Sequence, residues 1–182
     1  KSKCVKLHQM TDYPWDGSVK ITVELDGPDH FIAALRIPKW ASDVSIKCNG
    51  KSYDVSELVQ KNGYLLLDRE WENMDEIEIC FPMQVKEIYA NTKVAEDDGK
   101  VAISRGPLIY CAEEVDNGSN IASLVLSGKD YRSIQKEDFV KEAFFITAHG
   151  KKLVSKNIND LYSYDKPEIF DQEIVLVPYY LW

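Results

Sequence analysis

The sequence predicts an all-β protein made of two antiparallel β-sandwich, jelly-roll-like domains in tandem. Three observations carry that expectation. Apolar and polar residues alternate with a period of two along most of the chain, which is the pattern of strands with one buried face. The alternating segments are short and separated by turn residues, as in a sandwich or barrel. Helical patterning is confined to two short stretches, residues 55–61 and residues 133–141.

The elements follow in order. Val19, Ile21, Val23 and Leu25 alternate with Lys20, Thr22 and Glu24. After a Gly27-Pro28-Asp29 turn, Phe31, Ala33, Leu35 and Ile37 repeat the pattern. Val44, Ile46 and Cys48 lead into Asn49-Gly50, a strong hairpin signal because both residues tolerate positive φ. Tyr64, Leu66 and Asp68 follow Asn62-Gly63, and Ile77, Ile79 and Phe81 close the first half. A boundary is expected at Phe81-Pro82-Met83, giving domains over residues 1–84 and 85–182. Strand signals resume at residues 85–90 and run from 101 to 112, interrupted by Arg105-Gly106-Pro107, where a proline suits a bulge or an edge. Residues 116–141 read as polar loop, and residues 143–148 and 172–180 as two final strands.

Composition narrows the function classes. The chain has 182 residues, with 22 basic against 30 acidic side chains and a net charge of -8. An acidic chain repels phosphate backbones, so nucleic acid is not an expected partner. Nor is a membrane, since no apolar run is long enough to span one as a helix. The first ten residues, KSKCVKLHQM, lack a signal-peptide core, and the compartment stays open. The chain does not start with Met and ends on an apolar run, EIVLVPYYLW; the expectation is a fragment of a longer protein, truncated in its second domain. Cys4, Cys48, Cys80 and Cys111 are widely spaced, with no Cys-x-x-Cys pair, which removes the zinc-ribbon pattern. Cys48 and Cys80 fall in alternating apolar segments, so buried free thiols are expected ahead of disulfides.

Candidate chemistry is sparse. A glycosidase needs two carboxylates across a cleft, but Asp75-Glu76, Asp97-Asp98 and Glu113-Glu114 are sequence neighbours. Adjacent strand residues point to opposite faces, so these read as solvated turn residues. EDDGK, residues 96–100, lacks the spacing of a calcium loop. His8, His30 and His149 stand apart. Asn117-Gly118-Ser119 matches a glycosylation acceptor. The aromatics Tyr13, Trp15, Trp40, Tyr64 and Trp71 would suit sugar stacking, yet rings with one dry and one wet end also cap sandwich cores. From the residues, no catalytic, cofactor or metal site is expected.

The ordered set Q-x-T-D-Y-P-W-D-G (Gln9 to Gly17), L-R-I-P-x-W (Leu35 to Trp40), Asn49-Gly50, Gly63-Tyr64, R-x-W (Arg69 to Trp71), F-P-M (Phe81 to Met83), V-A-I-S-R-G-P-L-I-Y-C-x-E (Val101 to Glu113) and L-V-P-Y-Y-L-W (Leu176 to Trp182) resembles the C-terminal part of glycoside hydrolase family 127, the β-L-arabinofuranosidases. The resemblance implies an (α/α)6 catalytic barrel preceding two β-sandwich domains, with a zinc-thiolate site in the barrel and none of its positions in this chain. It therefore implies a non-catalytic accessory region whose partner is that barrel, with homodimerisation as a further role. Tyr13, Trp15, Asp16 and Trp40 become expected interdomain residues. The alternative is a carbohydrate-binding module for arabinose-containing glycans that uses the same residues for stacking. The family's next turn and strand after Tyr179-Tyr180 lie outside the chain, so an unpaired edge strand is expected over residues 176–182.

Overall fold

The computed structural model describes residues 4–135, 143–157 and 159–182. It is all-β and antiparallel throughout. It divides into two compact units, Lys1–Gln84 and Val85–Trp182.

The first unit is a sandwich. One layer has five strands in the order β1 (Val5–Thr11), β2 (Ser18–Leu25), β8 (Asp75–Cys80), β4 (Ser45–Cys48) and β5 (Lys51–Tyr53). The other has three, β3 (Asp29–Arg36), β7 (Tyr64–Trp71) and β6 (Val59–Lys61). Alternation places Val19, Val23 and Leu25 of β2 and Ile77 and Ile79 of β8 on the inner face of the first layer. Leu35, Leu65, Leu67 and Trp71 meet them from the second. The Asn49-Gly50 hairpin joins β4 to β5 with both residues at positive φ, as its sequence demands. Trp71 is fully buried; its indole N–H donates to the Phe31 carbonyl at 3.0 Å and its ring stacks on Phe31 at 5.5 Å.

Four expectations are corrected here. Residues 55–61 are not a helix: Asp54 caps a single 3-10 turn, Val55–Glu57, and the chain then extends as β6. The apolar spacing Val55, Leu58, Val59 imitates a helical face, but seven residues cannot sustain one in isolation. In β7 the buried parity is Leu65, Leu67 and Trp71 rather than Tyr64, Leu66 and Asp68; three consecutive leucines carry no parity of their own. Cys80 lies on the outer face and is exposed, because Ile77 and Ile79 claim the inner one, whereas Cys48 is buried as expected. Asp75 is also buried, at 7% exposure, instead of solvated. Its carboxylate accepts from Asn49 Nδ2 at 2.7 Å, from the Glu72 amide at 3.1 Å and from Arg69 at 3.3 Å. A buried carboxylate needs such a set of donors, and this one ties the β4–β5 turn to the β7–β8 turn.

The second unit is a seven-stranded sheet. The order is β12 (Leu124–Leu126), β14 (Phe144–Val154), β15 (Glu168–Pro178), β11 (Leu108–Ala112), β10 (Val101–Arg105) and β9 (Val85–Tyr89), with β13 (Arg132–Gln135) also pairing along β14. Ile103, Tyr110, Ile146, Ile174 and Leu176 form the core on one face, and Ala143, Phe145 and Val177 pack on the other. The loop between β12 and β13 reaches the edge strand β9. Tyr131, between β12 and β13, donates its hydroxyl to Glu87 on β9, and Tyr89 donates to the same carboxylate. These two donors hold the Glu87 carboxyl below its ordinary range.

Further corrections belong to this unit. Residues 116–141 hold two short strands, β12 and β13, where loop is expected. The second helical expectation fails at its start, since residues 133–135 belong to β13; residues 136–141 lie outside the described residues. Gly106-Pro107 is neither bulge nor edge but the two-residue turn between β10 and β11, with Gly106 at φ 58. Residues 176–182 are not an unpaired edge strand. β15 lies inside the sheet, where Leu176 pairs with both Ile146 and Ala112, and Tyr179–Leu181 is a 3-10 turn. The continuous run Ile174 to Val177 is the mark of a strand covered on both faces.

Candidate functional site

The expected site residues cluster at the β1–β2 connection. Tyr13 and Pro14 are joined by a cis peptide. The Trp15 and Asp16 amides both donate to the Asp12 carbonyl, at 2.9 and 3.1 Å, which coils the loop into a tight turn. Thr11 fixes its entry by accepting from the Tyr13 amide at 3.1 Å and donating to the Ser18 carbonyl at 2.7 Å. Asp16 fixes its exit by accepting from the Ser18 amide at 2.6 Å, the Asx geometry this residue favours. Gly17 is required by proximity: a Cβ there would stand 1.8 Å from the Phe81 carbonyl oxygen.

The rings are drawn inward. Tyr13 stacks on Trp40 at 6.5 Å, and Phe81 packs edge-on to Tyr13 at 6.2 Å and tilted to Trp40 at 5.9 Å. Tyr13 and Trp40 are half-buried against the first unit's core. Burial pushes the Tyr13 phenol up. The structure thus brings Tyr13 and Trp40 together, with Trp15 in the adjoining turn and Asp16 exposed at its rim. Trp71 is sealed in the core and Tyr64 sits at the far end of β7, under the Arg36 guanidinium. The five aromatics therefore do not form one exposed platform.

Two concavities are the most extensive among the described residues, beside a smaller one of about 250 Å³ at Cys4, Leu25 and Gly27. A groove of about 520 Å³ runs over the outer face of the five-stranded layer, lined by Asp12, Asp16, Lys20, Lys47, Glu78 and Cys80. No aromatic ring lines it. A larger cleft, about 960 Å³, opens inside the second unit over Ile103, Tyr110, Leu124 and Leu176, with Glu87 and Lys100 among its rim residues. Both Glu87 oxygens are occupied by tyrosine hydroxyls, and Asp97 faces Lys100 at 3.7 Å. Among the described residues, no three His, Cys, Asp or Glu side chains come together as a metal could require.

Sequence reasoning missed one residue with a clear task. Asn117 belongs to the short helix α1 (Glu114–Asn117) and is 3% exposed. Its side chain donates to the Glu113 and Val175 carbonyls, both at 2.9 Å, and accepts from the Val175 amide at 2.8 Å. The amide thereby continues the ladder along β15 past the end of β11. A side chain so engaged is not a glycan acceptor. The signal available was only the acceptor tripeptide, which pointed the wrong way.

The comparisons with known proteins bear on what such a chain is part of. Residues 1–83 match the family model described as the β-L-arabinofuranosidase GH127 middle domain, and residues 85–182 match the glycoside hydrolase family 127 C-terminal domain. The chain belongs to glycoside hydrolase family 127. Over 121 residues it is 38% identical to the non-reducing end β-L-arabinofuranosidase of Bifidobacterium longum subsp. longum, a match spanning 63% of this chain and 18% of that protein. It superposes on the crystal structure of a GH127 β-L-arabinofuranosidase from Geobacillus stearothermophilus with TM-score 0.92 and 37% identity, covering 99% of this chain and 28% of that one. A second GH127 β-arabinofuranosidase structure gives TM-score 0.83 at 31% identity, with 99% and 30% covered. The chain therefore spans less than a third of the solved family members it matches, and corresponds to the family's middle and C-terminal domains.

Proposed function

We propose that this family 127 chain is the accessory β-sandwich region of a β-L-arabinofuranosidase-like glycoside hydrolase, packing on a catalytic domain elsewhere in the same polypeptide and having no turnover of its own. The observation that carries the reading is the fate of the candidate side chains. Tyr13, Trp40 and Trp71 pack into a core or its margin, and Asp75 and Glu87 are consumed by structural hydrogen bonds. Most glycoside hydrolases use two carboxylates facing one bond, and these two are engaged in structural hydrogen bonds instead. Zinc chemistry, which the family resemblance places in the barrel, is assigned to that domain. The test is complementation. The catalytic domain expressed alone should lose stability or activity on a β-L-arabinofuranoside and regain it when this chain is supplied. No effect of adding the chain, under conditions where both pieces are folded, would refute the packing role.

Homodimerisation is assigned to the β14–β15 hairpin, whose connecting segment carries Leu161, Tyr162 and Tyr164 almost wholly exposed. Sedimentation of the whole polypeptide across a dilution series should show a dimer weakened by Tyr162→Ser with Tyr164→Ser. A monomer at all concentrations removes this role. Glycan binding is the weaker reading, because the rings that would stack a sugar are held in packing; saturable tryptophan fluorescence on titration with arabinose-containing glycans would reinstate it.

A further inference from the structure

We propose that the Asn62-Gly63 turn between β6 and β7 is a self-modifying site, at which the asparagine slowly converts to isoaspartate and aspartate through a cyclic imide. The sequence holds three Asn-Gly pairs, Asn49-Gly50, Asn62-Gly63 and Asn117-Gly118. In each, glycine leaves the attacking amide nitrogen sterically open. The structure separates the three by what holds the electrophile and the nucleophile. Asn117 is 3% exposed with its side chain bonded to Glu113 and Val175, and the Gly118 amide donates to the Glu114 carbonyl at 2.8 Å. The Asn49 side chain donates to Asp75 at 2.7 Å and accepts from the Glu76 amide at 2.8 Å. Asn62 and Gly63 are exposed. Among the described residues, neither the Asn62 side chain nor the Gly63 amide has a hydrogen-bond partner.

The turn geometry supplies the path. Asn62 and Gly63 both have positive φ, 53 and 79, as the I′ hairpin turn requires. Attack by the Gly63 nitrogen on the Asn62 side-chain carbon needs an Asn62 ψ of about −120°, the value found in the II′ turn. Rotating the peptide between the two residues interconverts these turns. Asn62 keeps its positive φ and only the Gly63 φ changes sign, which glycine does at no steric cost. The Gly63 carbonyl accepts from the Ile37 amide at 3.0 Å and from Arg36 Nη1 at 2.8 Å, and it lies outside the rotating peptide. The flip therefore leaves the hairpin anchored. In the reaction the bond from the Gly63 nitrogen to Asn62 Cγ forms, the Cγ–Nδ2 bond breaks, and the Gly63 amide proton leaves with Nδ2 as ammonia. Water then opens the ring, at the backbone carbonyl to give isoaspartate or at Cγ to give aspartate. Isoaspartate routes the main chain through Cγ and lengthens the turn by one carbon. That sets a new carboxylate beside the Arg36 guanidinium, which stands over Gly63, and pulls the Gly63 carbonyl from its two donors.

Ageing the intact polypeptide in warm, mildly alkaline buffer tests this, with peptide mapping by mass spectrometry and isoaspartate marked by an isoaspartyl methyltransferase. Asn62 should convert at least about ten-fold faster than Asn49, whose two side-chain bonds must break first, a difference of about 1.4 kcal/mol. Asn117, buried with both reacting groups engaged, should be the slowest. In urea the three rates should converge, because the differences come from the fold. Asn62→Gly suits the positive φ and should remove the methyltransferase signal from the native chain without unfolding it. Conversion of Asn49 or Asn117 as fast as Asn62 in the native chain overturns the proposal. So does an unmodified Asn62 over a period in which the unfolded chain converts all three.

Discussion

Asn117→Ala should destabilise the second unit more than any other substitution of an exposed-looking polar residue in this chain. The side chain makes three hydrogen bonds, two of them to the backbone of Val175 on β15. Truncation leaves a buried amide and a buried carbonyl of Val175 without that partner, at about 1–3 kcal/mol each. The Glu113 carbonyl is spared, since the Asn117 amide still donates to it at 3.1 Å. The Asn117 carbonyl also keeps its bonds from Lys152 and Gln172, so α1 stays anchored. The expected cost is therefore about 2–4 kcal/mol. Native-state hydrogen exchange reads it locally: amides of β14 and β15 should exchange about 30-fold to about 1000-fold faster, at 1.4 kcal/mol per decade. Amides of β2 and β8 should not change. Asn117→Asp sharpens the test. It keeps the acceptor for the Val175 amide but turns a carboxylate oxygen toward the Val175 carbonyl. Burial there raises the folded-state pKa of the new carboxyl, so its variant should gain stability as pH falls and lose it as pH rises through that raised value. Exchange in Asn117→Ala within about three-fold of the parent would refute the ladder-extension argument.

Three other outcomes follow from the same physics. Gly17→Ala forces a Cβ onto the Phe81 carbonyl and should cost the first unit about 3 kcal/mol or more by chemical denaturation, leaving the second unit's transition in place. Thiol titration of the native chain should find Cys4 and Cys80 fast and Cys48 silent until unfolding; the burial that hides Cys48 also raises its thiol pKa. Glu87, held low by Tyr131 and Tyr89, contributes stability that is present above its unfolded pKa and lost as pH falls through the folded one. Glu87→Gln should flatten the acid limb of the second unit's stability below the ordinary carboxylate range; an unchanged acid limb would contradict the edge-closing role of this carboxylate.

The fold was legible where chemistry is local. β2 and β3 alternate cleanly, and Asn49-Gly50 names its own turn type. It was illegible where the deciding partner is remote. Leu65-Leu66-Leu67 gains its parity only from β2 and β8 across the sandwich, and β8 is inserted between β2 and β4 from far along the chain. Asp75 read as an ordinary turn acid because Arg69 and Asn49 reach it through tertiary structure. β15 was expected as an edge from the family's following strand, and the neighbour that covers it, β11, is more than fifty residues upstream, where no local pattern announces it. At the candidate site the turn chemistry of Asp12, Pro14, Asp16 and Gly17 was readable. The direction of the rings was not, since a tyrosine or tryptophan suits a sugar and a core margin equally well.

Hydrolysis of a chromogenic β-L-arabinofuranoside by this chain alone, at high protein concentration with zinc and reductant present, tests the central claim most directly. The account predicts a rate indistinguishable from buffer, with turnover appearing only when the rest of the polypeptide is joined to it. Release of arabinose by the folded chain, abolished by substituting any of its own carboxylates or thiols, would contradict it.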